Sequence, residues 1–253
     1  PPMISLLPAT TALLASFSDL KTRTPVMAGA FVAESSRVVL KLLESDLTVE
    51  SVLAAPEWYE KHQAELAKVR GVTFYVAAKN TLETIVGFNL HDGVLARARV
   101  PQDAPLASLA QAPLIVLDGI TKAENVGAIV RNATAFGVWN MMLGPNSCHP
   151  YNRRSARVAM GNLFRMKIHQ APDLPAALQT LRAQGMKVYA FENRPFALDL
   201  NEINFSSPAA LVIGSEGAGL SPEVMAQADH FVRIPIDEHV YALNAACASA
   251  VGL

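Results

Sequence analysis

The sequence predicts an α/β protein with a largely parallel sheet, and three observations carry that expectation. Apolar runs of strand length alternate with segments of helical period, several of the strands are continuously apolar, and glycine or proline marks the turns between them. Leu114–Leu117 shows the second feature best, because a run without polar alternation is the pattern of a parallel strand covered on both faces. The 253 residues carry 21 Lys and Arg against 22 Asp and Glu, for a formal charge of -1, and 51% are apolar. That is enough apolar material for one large or two small cores. With 17% charged residues, 14 glycines and 16 prolines, the composition is neither that of a disordered chain nor collagenous.

Taken in order, Pro1–Asp19 is apolar but does not read as a leader peptide. No Lys or Arg precedes Ile4–Leu7 or Ala12–Ala15, and Thr10 and Thr11 interrupt the apolar stretch. The opening Pro-Pro without Met reads as a trimmed fragment. Ser36–Leu43 is expected as a helix, Val49–Ala54 as a strand, and Glu57–Val69 as a second helix with Leu66 and Val69 inward. Val72–Ala77 then reads as a strand, Asn80–Val86 as a short helix and Gly93–Val100 as a closing strand, completing a small α/β unit. Pro101–Pro113 holds three prolines and no clear period, so it is expected as a linker between a domain at 1–100 and another at 114–253.

In the second domain Glu124–Phe136 has helical spacing, with Val126, Ile129, Val130 and Ala133 on one side and Gly137 placed to end the helix. Further strands are expected at Val138–Leu143, Phe164–His169, Lys187–Phe191, Ala210–Ile213 and Phe231–Ile234. Helices are expected between them at Asp173–Gln184 and Ser221–Ala228. The longest nearly apolar run, Tyr241–Leu253, is shorter than the roughly 20 residues of a membrane span and contains Asn244. Cys148 and Cys247 have no metal-site or disulfide-framework spacing and read as buried thiols in a reducing compartment, which is expected to be the cytoplasm.

The near-zero net charge conceals an asymmetry. No carboxylate occurs between Glu124 and Asp173, whereas Arg131, Arg153, Arg154, Arg157, Arg165 and Lys167 all do. Such a stretch suits a polyanion, since phosphate contacts depend on local potential; equally, it is a solvated face whose acidic partners come from elsewhere in the fold.

Three segments could carry chemistry. Gly214-Ser215-Glu216-Gly217-Ala218-Gly219 lies between a strand and a helix, where glycines admit a ligand to the backbone and amides can face an anion. Its order, G-x-x-G-x-G, is neither the dinucleotide fingerprint nor a P-loop, and Ser215 is not in the setting of a hydrolase nucleophile; a turn without a ligand remains open. Asn125 and Arg131 stand six residues apart near a helix start, about 600° or 240° net around an ideal helix, so they converge only if Asn125 lies in the cap or preceding loop. On the residues alone Asn125 is equally a helix cap and Arg131 a surface ion-pair partner. Ile234–Asn244 runs from a strand through a proline loop into a small-residue helix, with His239 as a solvated loop residue.

In this order and at these separations the segments resemble the three motifs of the SpoU/TrmH family of RNA ribose methyltransferases, within the knotted SPOUT class. The first, N-x-G-x-x-x-R, is present as Asn125, Gly127 and Arg131, and the second, G-[NSA]-E-G-x-G, as Gly214, Glu216, Gly217 and Gly219. The third, I-P-M-x-G-x-x-x-S-L-N, is matched in part at Ile234, Pro235, Leu243 and Asn244, with Ala242 in place of Ser and Glu238 in place of Gly. Phe31–Glu34, the apolar helix after it and the unit ending in Gly93–Ala96 resemble the family's N-terminal substrate-binding domain.

The resemblance implies a C-terminal α/β domain with a deep trefoil knot, preceded by a small L30e-like α/β domain, and transfer of a methyl group from S-adenosylmethionine to a ribose 2′-hydroxyl of tRNA or rRNA. It implies catalytic roles for Asn125, Arg131, Glu216 and Asn244, cofactor contacts at Gly214, Ile234 and Leu243, RNA contacts at Arg131, Arg153, Arg154 and Arg157, a homodimer, and neither a metal nor a membrane. Ala242 removes a hydroxyl near the implied centre and Glu238 adds bulk and charge to the cofactor loop. The alternative implied by those departures is a catalytically silent RNA-binding member; a nucleotide-binding enzyme unrelated to RNA would rest on the glycine turn alone. The helix after the third motif is expected to be short or trimmed at Leu253.

Overall fold

Strand-length apolar segments pair into two separate sheets in the computed structural model, which describes residues 5–9, 17 and 29–253. Most of the expectation for Pro1–Asp19, including Ala12–Ala15 and both threonines, lies outside the described residues. The described residues up to Pro101, together with Tyr151–Phe164, form one unit; Gln102–Pro150 with Arg165–Leu253 form the other.

The first unit contains β1 (Ser5–Pro8), β2 (Ala30–Glu34), α1 (Ser36–Leu43), β3 (Val49–Ala54), α2 (Pro56–Lys61), α3 (Gln63–Leu66), β4 (Thr73–Val76), α4 (Lys79–Val86) and β5 (Val94–Arg99). Its sheet has the order β1-β4-β3-β5-β2, parallel through β1, β4 and β3, and antiparallel from β3 to β5 to β2. Helix α1 buries Val38, Val39 and Leu42 at the spacing of one helical face. The single helix expected over Glu57–Val69 is instead two short ones that meet at His62, whose φ of -109° and ψ of 19° leave the helical region. Only Trp58 and Leu66 are buried along the pair, and the polar run Glu60–Gln63 offers no apolar anchor to carry the helix across the middle. Trp58 is fixed further by its indole N–H, which donates to Ser36 Oγ at 2.8 Å.

The second unit contains β6 (Leu114–Asp118), β7 (Asn140–Leu143), β8 (Lys167–Gln170), β9 (Lys187–Phe191), β10 (Leu198–Asp199), β11 (Ala209–Gly214) and β12 (His230–Arg233). The helices that continue the chain order are α5 (Ala123–Ala135), α6 (Arg153–Val158), α7 (Leu174–Ala183), α8 (Pro222–Met225) and α9 (Ala245–Gly252), of which α6 belongs to the first unit. The sheet order is β10-β12-β9-β11-β6-β7-β8, and every adjacent pair is parallel. Consecutive strands β6, β7 and β8 build outward on one side; β9 lies on the other side of β6, and β11 is inserted between them.

This arrangement explains the apolar runs. Leu114 and Val116 join the core beneath α7, together with Leu178, Leu181 and Val212, while Ile115 and Leu117 are equally buried. The inward side of α5 is as expected: Val126, Ile129, Val130 and Ala133 are all buried, and the chain leaves the helix through Gly137 at φ 80°. Asp173 caps α7 by accepting from the Ala176 amide at 2.9 Å.

Several elements differ from expectation. Pro101–Pro113 contains a 3-10 turn at Leu106–Leu109, and Leu109 and Ala110 are buried in the second unit's core. Phe164 lies in a 3-10 turn, Asn162–Arg165, and the strand begins only at Lys167. Gly161, at φ 73°, turns the chain there, and the Phe164 ring lies 5.8 Å from that of Phe31 in the first unit, so packing outweighs its strand propensity. The helix expected over Ser221–Ala228 is limited to Pro222–Met225. Neither cysteine is buried: Cys148 is half-buried and Cys247 exposed, because the covered side of α9 is formed by Ala245, Ala246 and Ser249. Among the described residues, no helix is long and apolar enough to cross a membrane.

Helix α6 was not expected, since Arg-Arg-Ser-Ala-Arg-Val has little apolar periodicity. It is held from its other side. Glu34, 5% exposed at the end of β2, accepts hydrogen bonds from Arg153 and, at 3.2 Å, from Arg157, and the Arg153 guanidinium lies 4.3 Å from the Phe88 ring centroid. Two arginines of the basic stretch therefore have an acidic partner distant in sequence. Replacing Arg153 and Arg157 together by Met should leave Glu34 buried without its cations and cost about 2–4 kcal/mol in urea unfolding, less than a fully buried pair because Arg157 is half-exposed. Adding Glu34→Gln should recover most of the loss, and no recovery would contradict the pairing.

Candidate active site

Beyond the carboxyl ends of β9, β11 and β12 lies a cavity of about 210 Å³, the place where parallel α/β sheets open to ligands. Its walls are partly aliphatic, from Ile213, Val232, Ile236 and Leu243, partly aromatic, from Phe191 and Tyr241, and partly the polar turn Gly214–Gly219. The sequence-derived cofactor residues Gly214, Ile234 and Leu243 all line it.

The turn is shaped by close backbone approach. Ser215 and Gly219 exchange amide-to-carbonyl hydrogen bonds of 3.1 and 2.9 Å, so the strand end folds back on itself at once. A Cβ on Gly214 would lie 2.4 Å from the Gly219 carbonyl carbon, which only glycine avoids, and Gly219 itself has φ 69°. By contrast, a Cβ on Gly217 meets nothing within 4 Å. The far side of the turn is pinned twice: Ser221 donates from its amide and hydroxyl to Asp118 Oδ2 at 2.8 and 2.9 Å, and the Leu220 amide donates to Glu192 Oε1 at 2.6 Å.

From this turn Glu216 reaches a cluster that joins all three sequence segments. Its Oε1 accepts from Asn125 Nδ2 at 3.0 Å and also from Asn244 Nδ2, while its Oε2 pairs with Lys122 Nζ at 2.5 Å. Asn244 Nδ2 donates as well to Asn125 Oδ1, at 3.1 Å. The Asn244 oxygen faces the other way and caps α9, accepting from the Ala246 and Cys247 amides at 2.9 and 3.4 Å. Asn132, about two turns beyond Asn125 on α5, donates to the Ala246 carbonyl at 2.8 Å and to Ser249 Oγ at 3.0 Å, holding α9 alongside.

Asn125 is consequently not a cap. Lys122 precedes the helix without a side-chain cap bond, and Asn125, 8% exposed, lies inside its first turn with its amide committed to Glu216 and Asn244. Asn125, Glu216 and Asn244 are thus brought together. Arg131 is not: it is exposed, does not line the cavity and makes no side-chain hydrogen bond or ion pair among the described residues, as the 240° turn between positions 125 and 131 requires. Arg153, Arg154 and Arg157 lie on α6, which belongs to the first unit, whereas the cluster belongs to the second. Glu238 is exposed in the proline loop and does not line the cavity, whereas Ala242, also exposed, does. Sequence reading missed Lys122, Asp118 and Glu192. Asp118 ends β6, Lys122 precedes α5 and Glu192 follows β9, positions that carry a signal only once strand order is known.

The cluster fixes charge more than it adds stability. The hydrogen bond from Lys122 first, and that from Asn125 second, hold the Glu216 carboxyl below the ordinary carboxylate range, and the same contact with Glu216 raises the Lys122 ammonium. An exposed pair of this kind contributes little energy.

A seven-stranded parallel sheet with a glycine turn and a carboxylate held by two carboxamides at its carboxyl edge defines a ligand site of the parallel α/β type. Residues 112–253 match the family described as SpoU rRNA Methylase, and the chain belongs to that family. An uncharacterized tRNA/rRNA methyltransferase of Mycobacterium tuberculosis is 32% identical over 238 residues, 92% of this chain and 82% of that protein. A 23S rRNA (guanosine-2′-O-)-methyltransferase of Acinetobacter baylyi is 29% identical over 197 residues, 75% of this chain and 79% of its own length. Among solved structures, an rRNA methyltransferase from Sinorhizobium meliloti superposes with a TM-score of 0.82 at 22% identity, covering 98% of this chain and 95% of that one. The SpoU methyltransferase AviRb from Streptomyces viridochromogenes, solved in complex with AdoMet, gives 0.78 at 24% identity and 88% coverage of both chains. These likenesses show the shared fold.

Because the folded pKa of Glu216 is lowered, its contribution to stability is present above the ordinary carboxylate range and is lost as pH falls through the lowered value. Lys122→Ala should move the Glu216 titration up toward the ordinary range, measured from its side-chain carboxyl carbon by NMR. An unchanged midpoint would contradict the assigned cause.

Proposed function

We propose that the protein transfers a methyl group from S-adenosyl-L-methionine to a ribose 2′-hydroxyl of tRNA or rRNA. The observation that carries this reading is the convergence of Asn125, Glu216 and Asn244 beside the cavity lined by Gly214, Ile234 and Leu243. Relatives named as 23S rRNA 2′-O-methyltransferases, and a structural neighbour solved with AdoMet, support it. The cavity suits the group: aliphatic and aromatic walls for a flat base, backbone polar atoms at its edges, and a turn in which no side chain intrudes at Gly214.

The bound cofactor supplies a methyl group already made electrophilic by its sulfonium. This chain's residues have to place the hydroxyl in line with it, exclude competing water and manage the departing proton. Glu216, held charged by three donors, is a poor proton acceptor; it fixes the turn and the Asn125 and Asn244 amides. We assign to Arg131 the stabilisation of developing negative charge on the oxygen and contact with a neighbouring phosphate, because a guanidinium remains protonated. Its exposed position within the chain fits a site completed by two subunits, so the reading includes a homodimer in which Arg131 serves the site between them. It also includes a deep trefoil knot in the C-terminal domain of 114–253, an L30e-like fold and RNA recognition for 1–100, and RNA contacts at Arg153, Arg154 and Arg157 from whatever their pairings leave exposed. A cytoplasmic location belongs to the same reading.

The test is transfer of labelled methyl from S-adenosylmethionine to total tRNA and, separately, to rRNA, with nuclease digestion to locate the label. Label on a ribose is expected; cofactor and RNA binding without any transfer would favour the silent member that Ala242 suggests. Arg131→Ala should abolish transfer while cofactor affinity stays within about threefold, a change smaller than the loss of one hydrogen bond. Retained turnover would remove the role given to Arg131. Sedimentation at micromolar concentration should show a dimer, and a clean monomer would contradict the shared site.

A further inference from the structure

We propose that Glu192 is the ribose-recognising carboxylate of the cavity, its Oε2 accepting from the vicinal hydroxyls of the bound nucleoside. The assignment rests on the reading of the cavity as a site for S-adenosylmethionine and adds to it a side chain that no sequence motif marks.

Glu192 follows β9 directly, at the carboxyl edge of the parallel sheet, and lines the cavity beside the end of the glycine turn. Its side chain is 9% exposed, and a carboxylate so far removed from water needs its acceptor sites filled. They are filled unevenly. Oε1 accepts from the Leu220 amide at 2.6 Å, whereas among the described residues the cation paired with Oε2 is Arg194, its Nε at 3.7 Å, beyond hydrogen-bond distance. A carboxylate offers about four lone-pair sites, so Oε2 retains capacity on the cavity side. Gly219 makes this placement possible: a Cβ there would lie 2.7 Å from Glu192 Oε1, so any side chain at 219 would push the carboxylate away.

The chemistry of the missing donors follows from the setting. A vicinal diol is neutral and presents two O–H donors to one carboxylate, and it is the polar part of a nucleoside whose base suits the aliphatic and aromatic walls. The competing donor is the ammonium of the cofactor's amino-acid end. Parallel α/β sheets repeatedly use an acidic side chain beyond a strand end to hold a ribose, which gives the diol the stronger physical case.

The experiment is calorimetric, with S-adenosylhomocysteine, 5′-methylthioadenosine and the 2′,3′-dideoxy derivative of 5′-methylthioadenosine, against the full chain and E192Q. Glutamine keeps a carbonyl oxygen for the Leu220 amide but loses the carboxylate. The native protein should prefer methylthioadenosine to its dideoxy derivative by about tenfold or more, the strength of hydrogen bonds to a charged group, and E192Q should reduce that preference below about threefold. E192D, which keeps the charge but withdraws it, should show the same reduced preference should glutamine disturb folding. A diol preference unchanged in both variants would overturn the assignment. So would a loss confined to S-adenosylhomocysteine, which would give the carboxylate to the ammonium. A native protein that binds none of the three ligands would overturn the cofactor reading itself, and this assignment with it.

Discussion

The Asn244 carboxamide is the junction on which the site depends. Its oxygen caps α9 and its nitrogen donates to both Asn125 and Glu216, so one side chain joins the last helix, the first turn of α5 and the glycine turn after β11. Asparagine is suited to this because it combines an acceptor for the helix amides with donors for a carboxylate and a second carboxamide. Aspartate would cap the helix but repel Glu216. Positions 119 residues apart in sequence thereby share one hydrogen-bonded cluster, and the glycine turn cannot move without disturbing the helix cap.

That junction shapes the chemistry available to Glu216. With Oε1 accepting from two amides and Oε2 paired with Lys122, the carboxylate is held charged and is poorly basic. It holds the Asn125 and Asn244 carboxamides in place beside the cavity. At the cavity's polar side the approach of Gly214 to Gly219 leaves no room for a Cβ at position 214. Glu192, which also lines the cavity, is tied to the turn through the Leu220 amide.

The basic stretch shows how charge read along a chain changes meaning in three dimensions. Arg153 and Arg157 flank Glu34, so part of the positive charge that suggested a polyanion is already neutralised within the first unit. Arg131, on another helix, has no such partner among the described residues. A local count of carboxylates cannot separate these cases, because the compensating charge lies 119 residues away from Arg153.

What the sequence determined by itself was whatever depends on neighbours along the chain. Ser36–Leu43 and Val49–Ala54 have the expected bounds because period and apolar content are local properties, and the parallel sheet follows from continuous apolar strands separated by helices. The glycines of the turn were legible from the residues themselves, and the Asn125, Glu216 and Asn244 groups from the resemblance to the family's motifs. The tertiary structure decided the rest. The order β9-β11-β6 brings Glu216 to Asn125; the two-helix break at His62 and the 3-10 turn at Phe164 reflect which apolar residue found a core; and α6 is held by a carboxylate from β2 rather than by its own periodicity. Lys122, Asp118 and Glu192 were silent in the sequence for one reason: a polar residue at a strand end or before a helix acquires a role only when strand order supplies the partner across from it.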